Sequence, residues 1–98
     1  MKPSELLNLY RPAIREIVAK NHALNPRVFG SVLSGQDTEE SDLDLLVDTD
    51  PKQKTSLFDL AGIQIDLESL LHISVDVRTP GDLPIKFRDQ VLQEAQAV

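Results

Sequence analysis

Gly30-Ser31 and, after ten intervening residues, Asp42-Leu43-Asp44 are the residues whose types and spacing fit chemistry. A small-residue turn that ends an apolar strand offers backbone N–H groups to a phosphate. Carboxylates at i and i+2 of a strand share one face, about 7 Å apart, and together can hold hard divalent cations such as magnesium. These parts predict a site for a metal-bound nucleoside triphosphate, and hence nucleotidyl transfer. Gly30 and Ser31 are the candidates for holding the triphosphate.

A third carboxylate stands in a second strand-like run, Ile73-Ser74-Val75-Asp76-Val77-Arg78. If that run pairs beside the Asp42–Val47 strand, Asp76 joins Asp42 and Asp44. In a two-metal mechanism the cations stabilise both the attacking and the leaving oxygen, and one carboxylate can take the proton of the acceptor hydroxyl. Asp76 is the candidate for that proton, because Asp42 and Asp44 are committed to metal and triphosphate. The candidate catalytic and metal-binding set is therefore Asp42, Asp44 and Asp76.

Local sequence indicates how these residues are positioned. Pro26-Arg27-Val28-Phe29 reads as a short strand that Gly30 ends with a sharp turn. Ser31 then falls in the first turn of a short helix, where amides and a hydroxyl can face a phosphate. From Asp42 the chain alternates, with Leu43, Leu45 and Val47 directed into a core. Ser4–His22 carries a helical pattern with Ile14, Ile17 and Val18 on one face, and Pro12 predicts a kink near Tyr10–Pro12. Leu57, Leu60, Ile63, Leu67, Leu70 and Leu71 trace a long helix. Gly62 costs that helix about 1 kcal/mol against Ala, which predicts a close neighbour there. Thr79-Pro80-Gly81 breaks the chain before a last helix with Phe87, Val91 and Ala95 on one side. The order α-β-α-β-α-β-α predicts an α/β (α+β) fold, a small mixed sheet flanked by helices, as one domain over residues 1–98.

Composition excludes several classes. Sixteen acidic against ten basic residues give a net charge of −6, which opposes binding to a nucleic-acid backbone. One Tyr and three Phe are too few for base-stacking platforms on nucleic acid. There is no cysteine and hence no disulfide framework. No stretch approaches the length of a membrane span, so a cytoplasmic location is expected. Ninety-eight residues suffice for one core but not for a second acceptor-binding domain, so the acceptor is expected on a partner protein.

Other polar residues have structural readings. His22 and His72 read as surface residues without metal-ligand spacing. Asp48 and Asp50 are assigned to the turn around Thr49-Asp50-Pro51 rather than to metal. Asp66 and Glu68 fit the solvated face of a helix. Ser41 caps or turns into the strand, and Tyr10 packs the first helix.

With these residues in view, the chain resembles a minimal nucleotidyltransferase of the polymerase-beta-like superfamily. The resemblance rests on Val28-Phe29-Gly30-Ser31, Ser41-Asp42-Leu43-Asp44-Leu45-Leu46-Val47 and Val75-Asp76-Val77, and extends through Leu57–Leu71 and Thr79-Pro80-Gly81. It implies an antitoxin paired with a HEPN-type RNase toxin. It also implies transfer of AMP from ATP, with magnesium, onto a tyrosine of that toxin. Neither membrane nor nucleic acid is an expected partner.

One departure bears on activity. The family often reads Gly-Ser-Arg-x-Arg-Gly, whereas this chain has Gly30-Ser31-Val32-Leu33-Ser34-Gly35. Arginine suits bidentate phosphate contacts. Its loss predicts weaker triphosphate binding, unless metal and backbone amides suffice with help from Lys52, Lys54 or Arg78. Two alternatives therefore stand beside the active transferase: an antitoxin that acts by binding alone, and a nucleotide-sensing module.

Overall fold

A computed structural model describes all residues, 1–98. Helix α1, Pro3–Lys20, opens with proline in its first turn, where a missing N–H costs nothing. Two of its free amides find carboxylates: Lys2 N–H donates to Glu5 Oε1 at 2.9 Å, and Ser4 N–H to Asp37 Oδ2 at 2.8 Å. The expected kink appears at Tyr10, whose φ of −115° and ψ of 18° leave the helix two residues before Pro12.

Strand β1 spans Ala23–Phe29 and is interrupted between Leu24 and Arg27, where Asn25 takes a φ of 53°. The irregularity absorbs Pro26, which has no N–H for a ladder. Helix α2, Ser31–Ser34, follows Gly30, and β2 covers Leu43–Thr49. Helix α3, Leu57–Leu71, starts at a capping box in which Ser56 and Asp59 satisfy one another's amides, at 3.2 and 2.9 Å. Strand β3 is Val75–Arg78, shorter than the run read from Ile73. A 3-10 turn at Pro80–Asp82 leads into α4, Ile85–Glu94, and then β4, Gln96–Ala97.

The sheet order is β3-β2-β1-β4. β1 runs antiparallel to β2 and β4, while β2 and β3 are parallel through the α3 crossover, so the sheet is mixed as expected. Leu43, Leu45 and Val47 on β2 are fully buried in one cluster with Ile14 and Val18 of α1 and Ile63, Leu67 and Leu71 of α3. Leu57, expected in that stripe, is 83% exposed, because the stripe begins only at Leu60.

β4 was not expected. Ala95, read as part of the last helix, leaves it with φ −58° and ψ 139°, and Gln96 and Ala97 pair with Val28 and Arg27. Val98 N–H donates to Pro26 O at 3.0 Å, while Arg11 and Arg15 donate to the Ala97 and Val98 carbonyls, each at 3.3 Å. Asp66 and Glu68 also have partners rather than water alone. Asp66 accepts from Asn21 Nδ2 at 3.2 Å, and Glu68 accepts from Val75 N–H at 3.0 Å, tying α3 to α1 and β3. Asp48 pairs with Arg27 at 2.6 Å and Asp50 accepts from Lys52 N–H at 2.9 Å, as structural groups. Ser41 Oγ accepts from Thr38 N–H at 2.8 Å in the approach to β2. No helix is long and apolar enough to cross a membrane.

Candidate functional site

Register assembles the candidate residues. Phe29 on β1 lies opposite Asp44 on β2, and Asp44 lies opposite Asp76 on β3. Directly paired residues project to the same face, so Phe29, Asp44 and Asp76 form a row across three strands. That face is opposite the one carrying Leu43, Leu45 and Val47 into the core. Asp42 is exposed, one residue before β2, and by the same alternation faces the side of Asp44.

Asp44 is half-buried, and burial pushes its carboxyl above the ordinary carboxylate range. The negative charges of Asp76 and then Asp42 push it further, and Arg78 opposes them. Arg78 Nε donates to Asp76 Oδ2 at 2.9 Å. That hydrogen bond, with the charges of Asp76, Asp44 and Asp82, holds the guanidinium more firmly protonated than usual. Three carboxylates thus crowd one face, balanced by a single arginine.

Gly30 is pressed against this cluster. Its φ of 76° and ψ of −147° lie in a region essentially reserved for glycine. A Cβ built there would overlap Asp44 Oδ2 and lie 3.1 Å from Asp44 Cγ. The Gly30 carbonyl accepts from the Leu33 and Ser34 amides at 3.1 and 3.2 Å. The amides of Ser31 and Val32, at the helix start, have no intrahelical partner. Val32 is turned into the core at 8% exposure, so this position presents no side chain to a phosphate, while Ser34 is exposed.

The cations proposed as substitutes for the absent arginines separate cleanly. Lys52 and Lys54 lie in the turn after the C-terminal end of β2, whereas Asp42 and Asp44 lie at its other end. Seven strand residues at about 3.3 Å each put some 20 Å between them. Arg78 is the one of the three that reaches the carboxylates. His22 and His72 stand away from the row, each exposed or half-exposed with positive φ beyond a helix end.

The donor set of Asp42, Asp44 and Asp76 is all hard oxygen and fits a magnesium-like cation. The side chains are not already gathered: no three Asp, Glu, His or Cys groups surround one point. Asp76 is engaged by Arg78 and Asp42 projects into solvent, so closing the set around an ion requires Arg78 to release its carboxylate. Sequence patterning missed the cleft beside this row, walled by α2 and α4, because its walls come from segments more than fifty residues apart.

The model of the nucleotidyltransferase domain family matches residues 12–98. A curated relative from Methanocaldococcus jannaschii, "Putative protein adenylyltransferase MJ0435", is 32% identical over 89 residues, which are 91% of this chain and 94% of that protein. A solved structure described as that of a "putative minimal nucleotidyltransferase" superposes with a TM-score of 0.80 at 38% identity, covering 97% of this chain and 93% of its own. A toxin-antitoxin crystal structure with AMP-PNP shares the fold, with a TM-score of 0.69 at 20% identity over 88% of this chain and 69% of that one.

Proposed function

The chain belongs to the nucleotidyltransferase domain family, and from that membership we propose that it is an antitoxin that transfers AMP from magnesium-bound ATP to a hydroxyl, that of a tyrosine, on a cognate HEPN-type RNase toxin. The observation that carries this reading is the register that sets Asp44 between Gly30 on one side and Asp76 on the other. Asp42 and Asp44 would hold the cation, with Asp76 completing the set. A magnesium ion held there would supply charge neutralisation for the phosphates and the leaving oxygen. Gly30 lets the chain approach Asp44 closely enough for the Ser31 and Val32 amides to meet the triphosphate.

Arg78 holds Oδ2 of Asp76 in the resting site; once it releases that oxygen to the cation set, Oδ1 is left for the proton of the acceptor. The acceptor oxygen bonds to the α-phosphorus, the bond to pyrophosphate breaks, and the proton passes to Asp76. Arg78 then offers its guanidinium to phosphate oxygens in place of the loop arginines. A protein acceptor agrees with the name of the archaeal relative. A toxin partner agrees with the assembly in which the same fold was crystallised with AMP-PNP.

The test is label transfer. The protein is mixed with the product of its neighbouring gene, magnesium and ATP labelled on the α-phosphate, with Asp44→Asn alongside. Label on the partner with wild type and none with the variant supports the reading; equal label with both removes the metal-site assignment. The absence of any arginine from Gly30–Gly35 and the Arg78–Asp76 pair favour a second reading, neutralisation by binding alone. That reading expects Asp44→Asn to silence the toxin as well as wild type does, with no label on either.

A further inference from the structure

α4 buries none of its residues and stands off the sheet, leaving a cleft of ≈ 590 Å³ between it and α2. That volume is within the range of small-molecule sites, about 300–1,000 Å³. Phe29 of β1 and Gln96 of β4 line it on the sheet side, and Gly30 and Ser34 border it where the phosphate turn begins. We infer that this cleft is the nucleobase site of the donor nucleotide, in which Phe29 and Phe87 pack against the base and Gln90 and Glu94 meet its exocyclic amine. The inference rests on the nucleotidyl-transfer reading and adds to it the residues that grip and select the base.

Position assigns the cleft to the donor. In the order β3-β2-β1-β4, Asp76 lies on one side of Asp44 and the cleft strands lie on the other. Attacking and leaving oxygens stand roughly in line across the phosphorus undergoing transfer. An acceptor whose proton goes to Asp76 therefore arrives from β3, on the side away from the cleft. Continuity agrees, because Phe29 is the next member of the Asp44 row and Gly30 touches both sites.

Chemistry selects a base over the pyrophosphate. The walls are apolar, from Phe29, Leu33, Phe87 and Val91, with no lysine or arginine among the lining residues. The nearby Lys86 ammonium stands over the Phe87 ring, 5.6 Å from its centroid, where an arriving base would have to displace it. Phe87 is 50% exposed, a large ring left outside the core. Stacking on such a ring tolerates any base, so discrimination falls to the polar rim. Gln90 Nε2 donates to Glu94 Oε1 at 3.3 Å, which leaves Gln90 Oε1 and Glu94 Oε2 as acceptors. Acceptors pair with the exocyclic amine of adenine or guanine, and uracil has no such amine.

The experiment is calorimetry with magnesium and α,β-methylene-ATP, its guanosine and uridine counterparts, and tripolyphosphate. Wild type should bind the ATP analogue more tightly than tripolyphosphate and more tightly than the uridine analogue. Phe87→Ala should weaken the ATP analogue at least five-fold while tripolyphosphate affinity holds, and Phe87→Tyr, which keeps a ring, should stay near wild type. Glu94→Leu should erase the preference over uridine, and the guanosine arm shows which purine is favoured. The base site is overturned if Phe87→Ala binds the ATP analogue like wild type, or weakens tripolyphosphate equally. It is also overturned if the variant binds the analogue normally but labels the partner poorly, because the cleft then serves the acceptor. In each of these cases the transfer reading survives; if wild type binds neither the analogue nor tripolyphosphate, that reading fails as well.

Discussion

Replacing Gly30 with alanine separates the site from the fold. The residue holds φ 76° and ψ −147°, a conformation that costs a residue with a Cβ about 1–3 kcal/mol. For a domain of this size each kcal/mol lowers Tm by about 4–8 °C, so Gly30→Ala should melt about 5–20 °C below wild type. A protein with an ordinary stability of about 5–15 kcal/mol remains folded at that cost. The new methyl also overlaps Asp44 Oδ2, so the carboxylate must swing out of the row. A displacement of about 1 Å in a reacting group costs on the order of a hundred-fold in rate. Gly35→Ala is the control: φ 76° and ψ 15° place it in the left-handed region, with nothing within 4 Å of a Cβ. It should lose about 1–2 kcal/mol and no transfer. Melting followed by circular dichroism, with label transfer measured well below both midpoints, reads the two effects apart. Wild-type transfer by Gly30→Ala, or an equal loss in both variants, would refute the placement of Asp44 against the turn.

Asp44→Asn should abolish transfer yet melt at or above wild type near neutral pH. Burial first, and then Asp76 and Asp42, raise the Asp44 pKa, so its contribution to stability is fully present below the unfolded pKa and is lost as pH rises through the folded value. A variant that melts lower at pH 7 but matches wild type in acid contradicts that sign. Asp37 behaves oppositely. Burial works to raise its pKa, but hydrogen bonds from the Ser4 backbone and side chain, then its own amide and the Lys2 charge, hold it below the ordinary range. Its contribution is therefore present above the unfolded pKa and lost as pH falls through the lower folded one, and Asp37→Ala should cost about 1–2 kcal/mol at pH 7. Denaturant titrations at pH 7 and pH 3 check this, and an equal gap at both would count against it. Gly62→Ala should destabilise despite a helix-propensity gain of about 1 kcal/mol. The added Cβ would sit 2.5 Å from Asn21 Oδ1, on a side chain already bonded to Ile17 O and Asp66. A rise in Tm would show that Asn21 moves aside freely.

Much of the candidate site's arrangement was legible along the chain because that part of its geometry is local. The i, i+2 spacing directs Asp42, one residue before β2, and Asp44 within it to one side, and Leu43, Leu45 and Val47 mark the side that joins the main core cluster. Gly30 marked the turn, Pro12 the kink and Gly62 the close neighbour, each through a backbone restriction carried by one residue type. Asp76 was legible as a candidate but not as a neighbour. Its place opposite Asp44 depends on the α3 crossover docking β3 in parallel, in one register among those the core permits. Relations across the sheet decided the rest. Arg78, rather than Lys52 or Lys54, meets the carboxylates because the turn at the far end of β2 carries the two lysines away. β4 has two residues, too few for a period, and forms because Val28 and Arg27 offer it a free edge. The cleft exists because α4 stands off a sheet face whose residues are distant in sequence. A residue's own backbone preferences and alternation travel with the sequence; partners between segments are selected only when the core closes.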